Sequence, residues 1–168
     1  MKSAISRLKK IKLLALDVDG VLTDCRIFLD ETGEWRRFFS IRDGYGIVLL
    51  QEQGYKIAFI TASKAKDIQA RAQALKIDYF HSGNFDKITE FKSLLKVSGL
   101  KADEVAYMGD DVFDIPVLKE AGFAATVPEA IDEVFQVVQY TTKRPGGNGA
   151  VREVCDLILK YGALGTQL

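Results

Sequence analysis

Apolar runs rich in β-branched residues alternate along this chain with stretches whose apolar residues recur every three or four positions. The runs at 11–16, 57–60, 105–108 and 123–126 predict strands, each short, nearly continuous in apolar character and ended by polar residues. Residues 67–75 place Ile68, Ala72 and Leu75 on one helical face, and 87–97 do the same with Ile88, Phe91, Leu94 and Leu95. Residues 150–161 predict a closing amphipathic helix. Strands alternating with helices predict an α/β fold, a central mainly parallel sheet flanked by helices. One segment breaks the alternation: the strand-like runs 26–29 and 35–39 flank DETGE, whose Gly33 suits a hairpin turn. No repeat, low-complexity tract or linker divides the chain, so residues 1–168 are expected to form one domain, with a hairpin at about 26–39 and a tail at about 143–168.

Composition narrows the function. Lys plus Arg and Asp plus Glu are both 23 in 168 residues, and a net charge of zero gives no global reason to expect nucleic acid or an anionic membrane as partner. Residues 1–12 are too polar for a signal peptide, and no apolar run reaches the roughly 18–20 residues of a membrane span. A cytoplasmic protein is the expectation. Cys25 and Cys155 have no CxxC partner and read as reduced, small apolar residues. His81, the only histidine, has no ligand partner at helical spacing and reads as a loop residue.

The chemistry gathers at the predicted strand ends. The first strand runs into DVDG, so Asp17 and Asp19 leave it two residues apart, starting toward the same side. The second strand ends in Thr61 and the third in Gly109, Asp110 and Asp111. In open parallel sheets, ligands collect beyond the carboxyl ends of the strands. Like charges there repel unless a cation sits among them, and Mg²⁺ suits a few carboxylate oxygens with room left for water and phosphate. Asp17 is then placed to attack phosphorus, Asp19 to protonate the leaving oxygen and later deprotonate water, and Thr61 and Lys87 to bind phosphoryl oxygens. Taken singly, each residue has a plainer reading: a solvated Asp-x-Asp loop, a helix cap at Thr61, a surface lysine at 87. Their coincidence at the strand ends favours the catalytic one. Trp35, Phe38 and Phe39 read as packing aromatics of the hairpin or of a subunit interface.

DVDGVLT at 17–23, Thr61 ending a strand, Lys87 opening a helix and GDDVFD at 109–114 resemble the four ordered motifs of the haloacid-dehalogenase superfamily. The second aspartate, Asp19, is similar to the acid/base of its phosphatases and mutases. The lack of a cap insertion, the hairpin, RDGYGI at 42–47, GDDVFDIPVL at 109–118 and GGNGAVREVCDLIL at 146–159 resemble more narrowly the phosphatases that release 3-deoxy-D-manno-octulosonate (Kdo) from its 8-phosphate in lipopolysaccharide synthesis. The resemblance implies a Rossmann-like fold and a Mg²⁺-dependent phosphomonoesterase working through an aspartyl-phosphate. It implies Asp17, Asp19 (through its backbone carbonyl) and Asp110 as metal ligands, with Asp111 and Asp114 orienting the ligands or Lys87. It also implies a sugar-acid pocket lined by Ser40, Ile41, Arg42, Asp43 and Gly44, with Ser63 beside it and Arg71 reaching the substrate, and a homotetramer whose hairpins meet centrally while a neighbouring subunit completes each site.

The chain departs from that pattern at Ser63 and Asn148, where many relatives carry arginine, and at Val48, where some do. These changes bear on the sugar acid, so a nine-carbon sialic-type acid 9-phosphate is the rival substrate. A signalling receiver domain would not need Asp19, and a catalytically silent oligomerising homologue would be expected to lose one of Asp17, Asp19, Lys87 or Asp110. A P-loop enzyme lacks its GxxxxGK[ST].

Overall fold

The computed structural model describes residues 2–164; Met1 and the last four residues of the expected tail lie outside them. In chain order the elements are α1 (Lys2–Leu8), β1 (Leu13–Leu16), a hairpin of β2 (Phe28–Leu29) and β3 (Trp35–Arg36), α2 (Ile41–Glu52), β4 (Lys56–Thr61), α3 (Lys66–Ala74) and β5 (Tyr79–Ser82). There follow α4 (Lys87–Ser98), β6 (Val105–Met108), α5 (Ile115–Glu120), β7 (Phe123–Thr126), α6 (Asp132–Phe135), β8 (Tyr140–Thr141) and α7 (Ala150–Tyr161). Six strands form one sheet in the order β5-β4-β1-β6-β7-β8, and every pairing in it is parallel. The four expected strands are all present; β5 and β8 are additional.

The sheet explains the apolar runs. All four residues of β1 are fully buried, as are those of β6, because helices cover both faces of a parallel sheet. On one flank α2 packs against α7 and α7 against α1; α4 packs with α5 in a second group. Helix α4 starts where Asp86 accepts the Thr89 N–H, and α2 starts where the Ser40 hydroxyl accepts the Asp43 N–H at 3.2 Å.

Starting from β1, the chain builds outward through β4 and β5, then crosses back to add β6, β7 and β8 on the other side. This is the Rossmann order, and its reversal point lies between β1 and β6, where a crevice opens beyond the strand ends. Leu16 pairs with Met108, and the Asp17 N–H donates to the Met108 carbonyl at 2.9 Å, so the two acidic loops leave the sheet side by side. The hairpin is shorter than its apolar pattern: only Phe28 with Arg36 and Leu29 with Trp35 are paired.

Candidate active site

Asp17, Thr61, Lys87, Asp110 and Asp114 converge at the switch point. Asp17 is buried, and its Oδ1 lies 2.7 Å from Lys87 Nζ. Lys87 reaches in from the first turn of α4 and also bonds Asp114 Oδ1 at 2.7 Å. An ammonium has three donors, so one remains for a ligand. Asp114, fully buried, is saturated: Oδ1 also accepts the Tyr107 hydroxyl at 2.5 Å, and Oδ2 accepts the Asp110 and Asp111 N–H groups at 3.0 and 3.1 Å. It therefore braces Lys87 and the Asp110 loop and has no lone pair aimed outward. Thr61 is buried at the end of β4, its Oγ1 accepting the Ser63 N–H at 3.1 Å while its own proton is left for a ligand.

Electrostatics at this cluster ask for a cation. Asp17, Asp110 and Asp114 each bring a carboxylate oxygen within 4.8 Å of the others. Burial, then the charge of Asp114, raises the Asp17 carboxyl well above the ordinary range, with Lys87 opposing. The same two causes push Asp110 up to about 7. Burial opposes the charge on Lys87, but Asp17 and Asp114 outweigh it and raise its pKa. Asp110 Oδ1 is buried with no hydrogen-bond partner, an uncompensated acceptor of the kind a metal satisfies. With Asp114 saturated, Asp17 and Asp110 are the side chains that fit a small hard cation.

Two glycines shape the loop over this cluster. Gly20 has φ +92°, and a Cβ there would stand 2.1 Å from Asp110 Oδ2. The tail closes from the other side: the Gly147 N–H donates to the Val21 carbonyl at 3.0 Å, and a Cβ on Gly146 would stand 1.9 Å from the Gly20 carbonyl. Residues 144–149, RPGGNG, thus form a loop whose backbone closely approaches the acidic loop. Thr23 pins the same loop internally, its hydroxyl donating to the Val18 carbonyl and accepting the Gly20 N–H, both at 3.3 Å.

The expected sugar-acid residues divide. Arg71 Nη2 donates to the Ser40 carbonyl at 3.0 Å, its guanidinium lies over the Phe39 ring at 5.6 Å, and its Nε is buried and unpaired. Gly44 leaves room for it, since a Cβ there would stand 2.3 Å from Arg71 Nη2. Ser40 caps α2, so its hydroxyl is engaged in the fold. Ile41 is 86% exposed, and Arg42 points into a separate surface groove with Arg144 and Arg152. Asp43 is fully buried with both oxygens committed to the tail, accepting the Gly149 N–H at 3.0 Å and the Arg152 N–H at 2.8 Å. Within this chain Asp43 therefore anchors α7 and offers no free oxygen to a sugar. Asp111 is exposed, and its Oδ1 accepts its own neighbour Val112 N–H at 2.6 Å, so its side chain caps a turn and does not orient Lys87.

Two engaged residues lie outside the motifs. Tyr107, in the middle of an apolar strand, is buried against Asp114. Arg37 grips Asp19, with Nε 2.5 Å from Oδ1 and Nη2 3.1 Å from Oδ2. A hydroxyl inside a fully buried strand is a signal for the first; an arginine beside aromatics gives none for the second.

The family model of the haloacid dehalogenase-like hydrolases matches residues 80–154. The chain is 40% identical over 155 residues to the 3-deoxy-D-manno-octulosonate 8-phosphate phosphatase of Escherichia coli K12, covering 92% of this chain and 82% of that one. It is 41% identical to the Yersinia pestis enzyme of the same name over 92% of this chain and 83% of that one. The crystal structure of the Moraxella catarrhalis phosphatase in complex with magnesium, phosphate and Kdo superposes with a TM-score of 0.93 at 39% identity, over 96% of this chain and 93% of that one. With the sheet order, the acidic cluster and these likenesses in agreement, the chain belongs to the haloacid dehalogenase-like hydrolases and, within them, to the family of 3-deoxy-D-manno-octulosonate 8-phosphate phosphatases.

Proposed function

We propose that this chain is a single-domain, Mg²⁺-dependent phosphatase that hydrolyses Kdo 8-phosphate to Kdo and phosphate in cytoplasmic lipopolysaccharide synthesis. The observation that carries the reading is the cluster at the β1/β6 switch point: a buried Asp17 held by Lys87, with the unpaired Asp110 Oδ1 beside it. Asp17, Asp110 and the Asp19 backbone carbonyl would hold Mg²⁺, which would supply charge neutralisation at the carboxylate and phosphoryl oxygens. The Asp17 carboxylate attacks phosphorus, and the bond to the sugar oxygen breaks as the Asp19 carboxyl gives that oxygen its proton. Asp19, now ionised, takes a proton from water as the water oxygen bonds to phosphorus and Asp17 is released. The third Lys87 N–H and the Thr61 hydroxyl bind the phosphoryl oxygens throughout. Arg71 is the cation assigned to the sugar-acid carboxylate.

Assembly as a homotetramer belongs to the same proposal. Its support is the exposed apolar surface of the hairpin, where Trp35 is 56% and Phe38 70% exposed and Phe28 stacks on Phe38 at 4.8 Å.

The test is phosphate release with Mg²⁺ from Kdo 8-phosphate and from a nine-carbon sialic-type acid 9-phosphate, with Asp17→Asn as the blank. A kcat/KM at least tenfold higher for Kdo 8-phosphate, about 1.4 kcal/mol of discrimination, is expected. Preference for the nine-carbon acid overturns the substrate, and turnover by Asp17→Asn overturns the nucleophile.

A further inference from the structure

Arg37 follows β3 at the base of the hairpin, and its side chain is only 8% exposed. Every nitrogen of its guanidinium is engaged. Nε and Nη2 hold the two oxygens of Asp19; Nη2 also reaches Ser63 Oγ at 3.4 Å; Nη1 reaches Asp67 Oδ1 and Oδ2 at 3.2 and 3.4 Å. Asp67 is itself fixed, 9% exposed in the first turn of α3, with its Oδ1 accepting the Ile68 N–H at 2.9 Å. A rigid line thus runs from α3 through Asp67 and Arg37 to Asp19. An ion pair that only pinned the hairpin to α3 would need Asp67 alone. Here the fork is turned on the carboxylate two residues after the candidate nucleophile, and a fork fixes direction as well as charge.

We infer that Arg37 is the positioning residue for Asp19, setting the direction from which that carboxyl gives and takes its proton. The inference rests on the roles proposed for Asp17 and Asp19. In the acid form the Asp19 carbonyl oxygen keeps one Arg37 bond, while its other oxygen, now O–H, turns to the leaving oxygen. The proton passes to that oxygen as the P–O bond breaks. In the second step the carboxylate takes one proton from water as the new P–O bond forms and the Asp17–phosphorus bond breaks. Arg37 gives up no proton in either step.

The experiment compares wild type, Arg37→Ala and Arg37→Lys by rapid quench on two Mg²⁺-loaded reactions. One uses p-nitrophenyl phosphate, whose phenolate leaves with little protonation, and the other uses Kdo 8-phosphate, whose alkoxide needs it. For Arg37→Ala, steady-state kcat should fall roughly a hundredfold on both, the scale of acid/base assistance, with KM changed less than about threefold. The first turnovers should differ. Nitrophenolate should appear as a burst matching the enzyme concentration, because hydrolysis of the aspartyl-phosphate has become limiting, whereas the first turnover of Kdo 8-phosphate should itself be slow. Arg37→Lys should recover only part of the rate, keeping charge without the fork. A KM for Kdo 8-phosphate raised more than about tenfold with kcat intact would make Arg37 a substrate contact and overturn the inference. Equal first-turnover losses on both esters, with a lowered Tm, would reduce it to a hairpin anchor. Wild-type protein active on p-nitrophenyl phosphate but silent on Kdo 8-phosphate overturns the substrate reading alone, and glycerol 2-phosphate then serves as the alkyl ester; silence on both overturns both.

Discussion

Replacing Asp43 by asparagine tests whether the buried carboxylate is a strut or a sugar ligand. Its two oxygens accept the Gly149 and Arg152 N–H groups at 3.0 and 2.8 Å, so they cap a twelve-residue helix from more than a hundred residues away. Asparagine keeps one acceptor and turns an NH₂ toward the other donor. One buried N–H then loses its partner, which costs about 1–3 kcal/mol, and the lost charge at a helix N-terminus costs about 0.3–1 kcal/mol more. A total near 3 kcal/mol corresponds, at this chain length, to a fall in Tm of roughly 6–12 °C. Differential scanning calorimetry on the metal-free and Mg²⁺-loaded forms measures it directly. Activity of the folded fraction should show KM for Kdo 8-phosphate within about twofold of wild type, since less than about 0.4 kcal/mol of substrate contact is being removed. An unchanged Tm with a KM raised tenfold would refute the strut and restore Asp43 to the substrate pocket.

Mg²⁺ should stabilise the protein more at pH 8 than at pH 5.5. Burial and Asp114 raise the folded-state pKa values of Asp17 and Asp110, the latter to about 7, against roughly 3.9 in the unfolded chain. In metal-free protein the stability tied to the Asp110 proton is complete below about pH 4 and is lost as pH rises through about 7, that tied to Asp17 is lost likewise as pH rises through its own raised pKa, and the ion requires the ionised forms. At a hundred times its dissociation constant, Mg²⁺ should raise Tm by roughly 5–10 °C at pH 8 and by less than half that at pH 5.5; a pH-independent shift would sink the account. Gly146→Ala should cut kcat/KM more than tenfold, because its methyl group meets the Gly20 carbonyl and pushes the acidic loop off Asp110. A variant with wild-type kcat/KM would show that the tail does not support that loop.

Much of the frame was legible because burial leaves a plain mark. The runs at 105–108 and 123–126 coincide with β6 and β7, and 150–161 coincides with α7. What escaped had mixed or contradictory marks. Strand β5 lies at the sheet edge, half exposed, with His81 and Ser82 among its four residues. Helix α2 contains Gly44 and Gly46 and opens on an exposed isoleucine, so its propensity is poor; packing against α7 overrides it. The acidic cluster was readable from strand ends, since parallel strands deliver their last residues to one rim. Tertiary partners were not, because which N–H groups Asp43 meets and which carboxylate Arg37 holds depend on segments far apart in the chain. The same holds for Asp111, which looks identical to its neighbour in sequence and differs only in facing solvent.

The meeting of Gly146 and Gly147 with the loop at 20–23 also bears on how the protein matures. Asp17 and its loop are translated well before the backbone that backs that loop, which lies more than 120 residues later in the sequence. Contacts of such long sequence separation close slowly and late. A nascent chain can therefore form most of its sheet before the acidic loop has its backing, and that loop is completed only when Gly146 and Gly147 dock on it.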